Sequence, residues 1–332
     1  MAQVAPLRWG ILGAGWIAEQ FTRDVLRLED HRVVAVGSRT IEKANAFADK
    51  FAIPHRHASY QDLVNDPDID AVYVATHHPM HRRDAELAMN AGKAVLCEKP
   101  LTMSYADAQS IVNTAKKNNV LFMEAMWARY LPHMIAIREV IKSGVLGEII
   151  SVHADHGQWF ELDPEFRLFK PELGGGALFD LGIYPVSFAS MVLGTPTQIT
   201  ARSTKAMTGV DGQTSIILQY ASGAHALLNT TNLAATPCTA LIVGRDARIE
   251  IDRTFYTPTK FRVINHKEEI IGGWNKDYAG HGLREEAVEL ARAYRAGEKE
   301  SPMLPHSEIL SIMKTMEEIA DQIGLVYPEF IQ

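Results

Sequence analysis

The sequence predicts an α/β protein of two domains: a doubly wound parallel sheet, then an α+β domain on an open, mostly antiparallel sheet. Three observations carry this. Short apolar runs alternate with amphipathic stretches up to residue 125, and a glycine-rich turn joins the first strand to the first helix. From residue 126 onward, strand-like runs follow one another through short turns, the pattern of hairpins rather than of crossover helices. The expected division is therefore 1–125 and 126–332.

The first strand, Leu7-Arg8-Trp9-Gly10-Ile11-Leu12, passes directly into Gly13-Ala14-Gly15-Trp16-Ile17-Ala18 and a helix reaching about Glu29. This is the Gly-x-Gly-x-x-Ala form of the dinucleotide fingerprint. Gly13 permits the tight turn, Gly15 lets backbone approach a pyrophosphate, and Ala18 allows close helix–strand packing. Trp16 and Ile17 stand in the first helical turn, where free amides face an anion. The first domain is accordingly expected to be a dinucleotide-binding Rossmann domain.

A second strand, Arg32 to Val36, ends in Gly37-Ser38-Arg39-Thr40, where an NAD enzyme usually places an acid on the ribose hydroxyls. No acid stands there. Ser38, Arg39 and Thr40 offer hydroxyls and a guanidinium, which suit a 2'-phosphate, so the expected cofactor is NADP(H), with NAD(H) also compatible. The alternation continues through helix Ile41–Phe51, a short helix from Tyr60 to Asn65, strand Ala71–Ala75, helix His81–Ala91 and strand Ala94–Cys97. A helix with apolar Ala108, Ile111, Val112 and Ala115 precedes the last strand, Val120–Met123. In such sheets ligands bind beyond the carboxyl ends of the strands. Gly13, Arg39, Thr76 and Lys99 all fall there.

Lys99 lies in Cys97-Glu98-Lys99-Pro100, at the end of the apolar run Ala94-Val95-Leu96. Lysines keep the ammonium in water, so one set at a strand end beside a proline-fixed turn points to proton transfer or to hydrogen bonding of a substrate oxygen. Trp127 and Arg129 follow the last parallel strand at the domain junction, where small-molecule pockets tend to form.

In the second domain a helix from about Leu131 to Ser143 precedes strand Glu148–His156. Strands Thr197–Lys205, Gln213–Tyr220, Ala224–Asn232, Thr239–Gly244 and Ala247–Ile251 follow, then two helices with apolar faces. Between them lies Gly174-Gly175-Gly176-Ala177-Leu178-Phe179-Asp180-Leu181-Gly182-Ile183-Tyr184-Pro185. Its glycines bring backbone close to something, and a helix over this stretch puts Asp180 and Tyr184 on one face. A phenol beside an ammonium is driven toward phenolate and so serves as a proton acceptor, and a carboxylate orients the lysine or a substrate hydroxyl. His153-x-Asp155-His156 is not expected to hold a metal, because strand alternation sends the two histidines to opposite faces. His156 and Trp159 are instead candidates for the substrate pocket.

The net charge of −7 over 332 residues, with no basic cluster interleaved with aromatics, argues against a nucleic-acid partner. No run of about 18 apolar residues is evident, and the chain enters its first strand by Leu7 without an apolar signal core. No membrane role is expected, and a cytoplasmic location is. Cys97 and Cys238, far apart, fit a reducing compartment.

Together these motifs resemble the glucose-fructose oxidoreductase/inositol dehydrogenase/MocA family over essentially the whole chain. Gly10-x-x-Gly13-x-Gly15-x-x-Ala18 is similar to the family's cofactor loop, and Thr76-x-His78-Pro79-x-His81 to its nicotinamide-side loop. Gly92-Lys93-x-Val95-Leu96-Cys97-Glu98-Lys99-Pro100 is similar to its signature, and Gly174 to Tyr184 to its substrate motif. Met123-Glu124-Ala125-Met126-Trp127-x-Arg129-Tyr130-x-Pro132 resembles the branch of dimeric dihydrodiol dehydrogenases and NADP-dependent D-xylose dehydrogenases. The resemblance implies that Lys99 and Tyr184 act at the reacting carbon, that Asp180 assists, and that Glu98 contacts the ribose or nicotinamide. It also implies a cis Lys99–Pro100 bond and dimerisation through the C-terminal sheet, with a higher oligomer open. Tyr184 stands where inositol dehydrogenases carry histidine, and His77 replaces a commoner proline.

The expected activity is hydride transfer between NADP(H) and a secondary alcohol or hemiacetal carbon of a sugar, polyol or cyclic diol. Two rivals remain: a non-catalytic NADP(H)-binding sensor, and a sugar–sugar oxidoreductase with tightly held cofactor.

Overall fold

In the computed structural model, which describes residues 5–328, six parallel strands form the first sheet. They are β1 (Leu7–Leu12), β2 (His31–Gly37), β3 (His55–His57), β4 (Ala71–Val74), β5 (Ala94–Glu98) and β6 (Phe122–Ala125), in the order β3-β2-β1-β4-β5-β6. The order reverses direction beside β1, the arrangement that opens a crevice at the strand ends. β4, β5 and β6 are buried at every position, as strands covered on both faces must be. The helices between them are α1 (Trp16–Val25), α2 (Ile41–Phe51), α3 (Tyr60–Val64), α4 (His81–Asn90) and α5 (Tyr105–Asn118). Thr40, Ser59 and Ser104 cap α2, α3 and α5 by accepting from the backbone amides of Lys43, Asp62 and Asp107, which explains where these helices begin. β3 was not expected: three residues are too few to show an alternation.

After α6 (Pro132–Lys142) comes the second sheet: β7 (Ile149–Gly157), β8 (Gln198–Lys205), β9 (Asp211–Gln219), β10 (His225–Thr231), β11 (Ala240–Gly244), β12 (Ala247–Ile251), β13 (Phe261–Asn265) and β14 (Ile270–Trp274). Its order is β14-β13-β12-β11-β7-β10-β9-β8. Every neighbouring pair is antiparallel except β7 with β10. The chain returns to β10's side of the sheet through α7 (Ile183–Leu193), which packs on β7 and β10. β13 and β14 fall where loops were expected, since the charged Lys267-Glu268-Glu269 turn hides their alternation. The register lines up Thr200, Ile217, Leu227, His153, Leu241, Glu250 and Arg262 across seven strands on the face away from α7. His153 thus stands on the outer face and His156 is buried on the inner one, as alternation requires. The stretch Pro171–Leu193 is long and apolar enough to span a membrane by composition, contrary to the sequence reading, but 78% of its window is buried inside the protein. It is a core segment.

The last helices are α8 (Arg284–Ala296) and α9 (His306–Gln322). The chain groups into two compact units that are not continuous in sequence: the first ends at Trp127 and takes in Gly280–Ile309, while the second runs Ala128–Ala279 and resumes at Leu310. Expectation had placed everything after residue 125 in one domain. The physical tie is Asp24 of α1, whose carboxylate accepts the amides of His281 (3.1 Å), Gly282 (2.6 Å) and Leu283 (3.0 Å) at the start of α8. No local pattern reveals a partner so distant in sequence.

Candidate active site

In the first unit, the turn after β1 is shaped by Gly13 at φ +99, where a Cβ would lie 2.9 Å from the Ala75 carbonyl oxygen. Only glycine fits that conformation and that approach. Gly15 caps α1 without any side-chain acceptor, and a Cβ there would meet nothing within 4 Å. The helix therefore opens its first amides to a cradle that a pyrophosphate fits. Trp16 is exposed and Ile17 half-buried beside it. At the end of β2, Ser38 is buried and its amide donates to the His57 carbonyl (3.2 Å), while Arg39 is exposed and makes no ion pair among the described residues. The Thr40 hydroxyl, expected to face the 2'-phosphate with Ser38 and Arg39, already accepts from the Lys43 amide in capping α2. These groups fit a nicotinamide dinucleotide carrying a 2'-phosphate.

At the end of β5, Glu98 is buried. Its Oε1 accepts the Tyr73 hydroxyl, and Oε2 accepts the Lys99 amide (3.0 Å). Lys99 is half-buried and the Lys99–Pro100 bond is cis. Thr76 and His78 stand in the loop after β4, His78 in a turn of 3-10 helix. The structure places His81 underneath that loop rather than on the open strand-end surface. It is fully buried, with Nδ1 2.9 Å from the Pro100 oxygen and Nε2 3.0 Å from the Thr76 oxygen. Behind Lys99 lie acids the sequence did not single out. Glu124 accepts the Leu101 amide (2.9 Å), and Glu286 of α8 is fully buried with neither oxygen hydrogen-bonded among the described residues. Burial, reinforced by Glu98, Glu124 and Asp24, holds the Glu286 carboxyl well above the usual carboxylate range. His281 sits between Trp16 and Trp127, with ring centroids 6.0 and 5.1 Å away.

In the second unit, Asp180 lies in a π-helical turn, Leu178–Gly182, that runs into α7. An ordinary helical start had been expected; such turns are rare and concentrate at functional sites. Asp211 fixes its entry by accepting the Leu178 amide (2.7 Å), and burial pushes this carboxyl up to about 6. What the glycines approach is the chain itself: a Cβ on Gly175 would lie 2.8 Å from the carbonyl oxygens of Arg167, Leu168 and Lys170. Asp180 is buried and pairs with Arg167 (3.1 Å). Tyr184 belongs to an aromatic group, 5.2 Å from His156 and 4.8 Å from Tyr256 between ring centroids. Gln158 donates its amide to His156 Nε2 (2.9 Å), so His156 carries its proton on Nδ1 and donates to the Leu181 carbonyl (3.1 Å). Arg129, expected near substrate, is buried and donates to the Ser187 carbonyl of α7 (3.0 Å). Arg167 and Tyr256 come from the segments Trp159–Lys170 and Arg253–His281, whose conformations no sequence pattern specified.

Within the first unit, a glycine turn that opens a helix N-terminus and a half-buried lysine at the end of β5 are the parts a nicotinamide-dependent oxidoreductase needs. Residues 7–126 match the family model described as "Oxidoreductase family, NAD-binding Rossmann fold", and residues 134–250 match the "GFO/IDH/MocA C-terminal domain". The chain belongs to the GFO/IDH/MocA family of NAD(P)-binding oxidoreductases. It is 37% identical over 334 residues to a trans-1,2-dihydrobenzene-1,2-diol dehydrogenase of Mus musculus, covering 97% of this chain and 98% of that one. The Homo sapiens protein of the same name is 35% identical over 331 residues, with 97% and 98% covered. Among solved structures, aldose-aldose oxidoreductase from Caulobacter crescentus, complexed with glycerol, superposes with a TM-score of 0.86 at 25% identity over 96% of this chain and 98% of that one. A 3-ketoreductase from Actinomadura kijaniata, in complex with NADP and TDP-benzene, shares the fold at a TM-score of 0.82 and 24% identity, over 96% and 98%.

Proposed function

We propose that this enzyme is an NADP(H)-preferring dehydrogenase that moves hydride between the nicotinamide and a secondary alcohol carbon of a cyclic diol or sugar. The observation that carries the reading is Lys99, half-buried at the carboxyl end of β5 in the same unit as the Gly13–Gly15 cradle. Bound cofactor supplies the hydride acceptor. Gly13, Gly15, Trp16 and Ile17 hold its pyrophosphate, Ser38 and Arg39 its 2'-phosphate, and Thr76, His78 and Glu98 border its nicotinamide end. As hydride leaves the carbinol carbon, the substrate hydroxyl proton passes to Tyr184 in its phenolate form, with Lys99 taking part in the transfer and Asp180 orienting the groups. The names of the similar dehydrogenases favour a trans-diol on a six-membered ring; the aromatic faces of Tyr184, Tyr256 and His156 suit the apolar side of such a ring. The same reading includes a homodimer formed by the outer face of the second sheet, where Ile217 and Leu227 pair side by side and stand 43% exposed each.

The experiment is a screen of trans-cyclic diols, aldoses and inositols for NADP+ reduction, read at the absorbance of reduced nicotinamide. Turnover of a diol or sugar with cofactor exchanged freely supports the reading. Tight NADPH binding without turnover of any substrate favours a sensor, and cofactor retained through desalting favours a sugar–sugar oxidoreductase.

A further inference from the structure

β3 carries His55-Arg56-His57 on the open edge of the first sheet. Residues two apart on a strand share a face, so both imidazoles point the same way. They converge on one atom: Asp66 Oδ2 lies 2.6 Å from His55 Nδ1 and 3.0 Å from His57 Nε2. The three ligand atoms lie within 4.8 Å of one another. Asp66 is buried and held in place from behind, its Oδ1 accepting the Asp68 amide (2.9 Å) and its own carbonyl accepting from Lys93 Nζ (2.8 Å). The imidazoles are half-buried, so the open side of the cluster reaches solvent.

We propose that His55, His57 and Asp66 form a binding site for a divalent transition-metal ion of the zinc type, separate from the cofactor and substrate groups. Two nitrogens and a carboxylate oxygen, with a fourth position left for water, are a ligand set that suits Zn2+ and its neighbours, whereas Mg2+ and Ca2+ take oxygen ligands. Binding requires neutral imidazoles offering lone pairs in place of the N–H groups that now face Asp66. His55 does so by carrying its proton on Nε2, which lies 3.9 Å from Asp68 Oδ2. Asp68 then becomes the outer carboxylate that orients a metal-bound imidazole. The strand pairs with β2 at Ala35–His55, Val36–Arg56 and Gly37–His57 and offers no apolar side chain of its own, so its side-chain ties run through the two histidines to Asp66 and through Arg56 to Asp49 (2.7 Å).

The test is calorimetric titration of the EDTA-treated, desalted full chain with Zn2+ and separately with Mg2+, alongside visible spectra with Co2+. Expected are one Zn2+ per chain, no Mg2+ binding, and a Co2+ absorption that Zn2+ abolishes. His57→Phe and Asp66→Asn should each weaken Zn2+ binding by tenfold or more, while His266→Phe, on the turn between β13 and β14, leaves it unchanged. Equal Zn2+ affinity in His57→Phe and wild type would overturn the site, as would absence of stoichiometric Zn2+ binding. If a variant fails to fold by circular dichroism, the wild-type Co2+ spectrum and its displacement by Zn2+ decide, a featureless spectrum counting against the proposal.

Discussion

His81 Nδ1 lies 2.9 Å from the carbonyl oxygen of Pro100, so a ring rooted at the start of α4 clasps the residue after Lys99. Its Nε2 lies 3.0 Å from the Thr76 carbonyl, and one side chain therefore spaces the loops that follow β4 and β5. Burial pushes the imidazole pKa below its ordinary value, while the carbonyls of Thr76, Pro100 and Leu101 around its two nitrogens act in the opposite direction. His81→Phe keeps the ring but strands a buried carbonyl, at a cost of about 1–3 kcal/mol. A lower melting temperature and a reduced kcat are expected, with NADPH affinity little changed. Wild-type values of both would show that the clasp does not position Lys99.

Lys99→Met keeps the length of the side chain and removes its proton. General acid–base groups contribute about 10²–10⁴-fold, so turnover should fall within that range. NADPH binding, followed by fluorescence, should persist because the Gly13–Gly15 cradle is untouched. Turnover near wild type would remove Lys99 from the mechanism.

Arg39→Asp tests the reading of the β2 end. The guanidinium is exposed without an ion pair among the described residues, and a carboxylate in its place repels a 2'-phosphate while accepting ribose hydroxyls. Losing a charged hydrogen bond costs about 1.5–3 kcal/mol. The ratio of kcat/KM for NADPH over NADH should therefore drop by about tenfold or more; an unchanged ratio refutes the assigned role.

The first sheet was legible in the sequence because its strands are buried apolar runs and its helices begin at Thr40, Ser59 and Ser104, which are local signals. The glycine turn at Gly13 and the strand-end position of Lys99 were legible as motif. What the sequence hid depends on distance along the chain. Asp24 capping α8 and Glu286 entering the core behind β5 leave no trace in periodicity. Arg129 and His81 read as site residues by position, yet burial gives both to backbone carbonyls. The π turn at Asp180 is equally invisible, since its composition is that of an ordinary helix.

The outer face of the second sheet supplies the test of assembly. Leu227 stands in the outer-face row between Ile217 on one side and His153 on the other. A carboxylate there would be desolvated in an interface but tolerated on a free surface. Leu227→Asp should convert a dimer to a monomer by light scattering with the melting curve of the monomer still cooperative. A dimer that survives this change does not use the face.

Glu286 gives a pH signature of its own. Its carboxyl is held well above the ordinary 4.5, first by burial and then by Glu98, Glu124 and Asp24, so the folded chain binds this proton more tightly than the unfolded chain does. Stability must then fall as pH rises from about 4.5 through the folded-state value, at up to about 1.4 kcal/mol per pH unit. Glu286→Gln removes the titration. Any penalty from its unpaired amide is the same at every pH, so the readout is the slope. The melting temperature of Glu286→Gln minus that of wild type should grow as pH rises above about 4.5 and level off once the folded-state value is passed. A difference that stays flat over this window would mean that Glu286 is ionised in the folded protein.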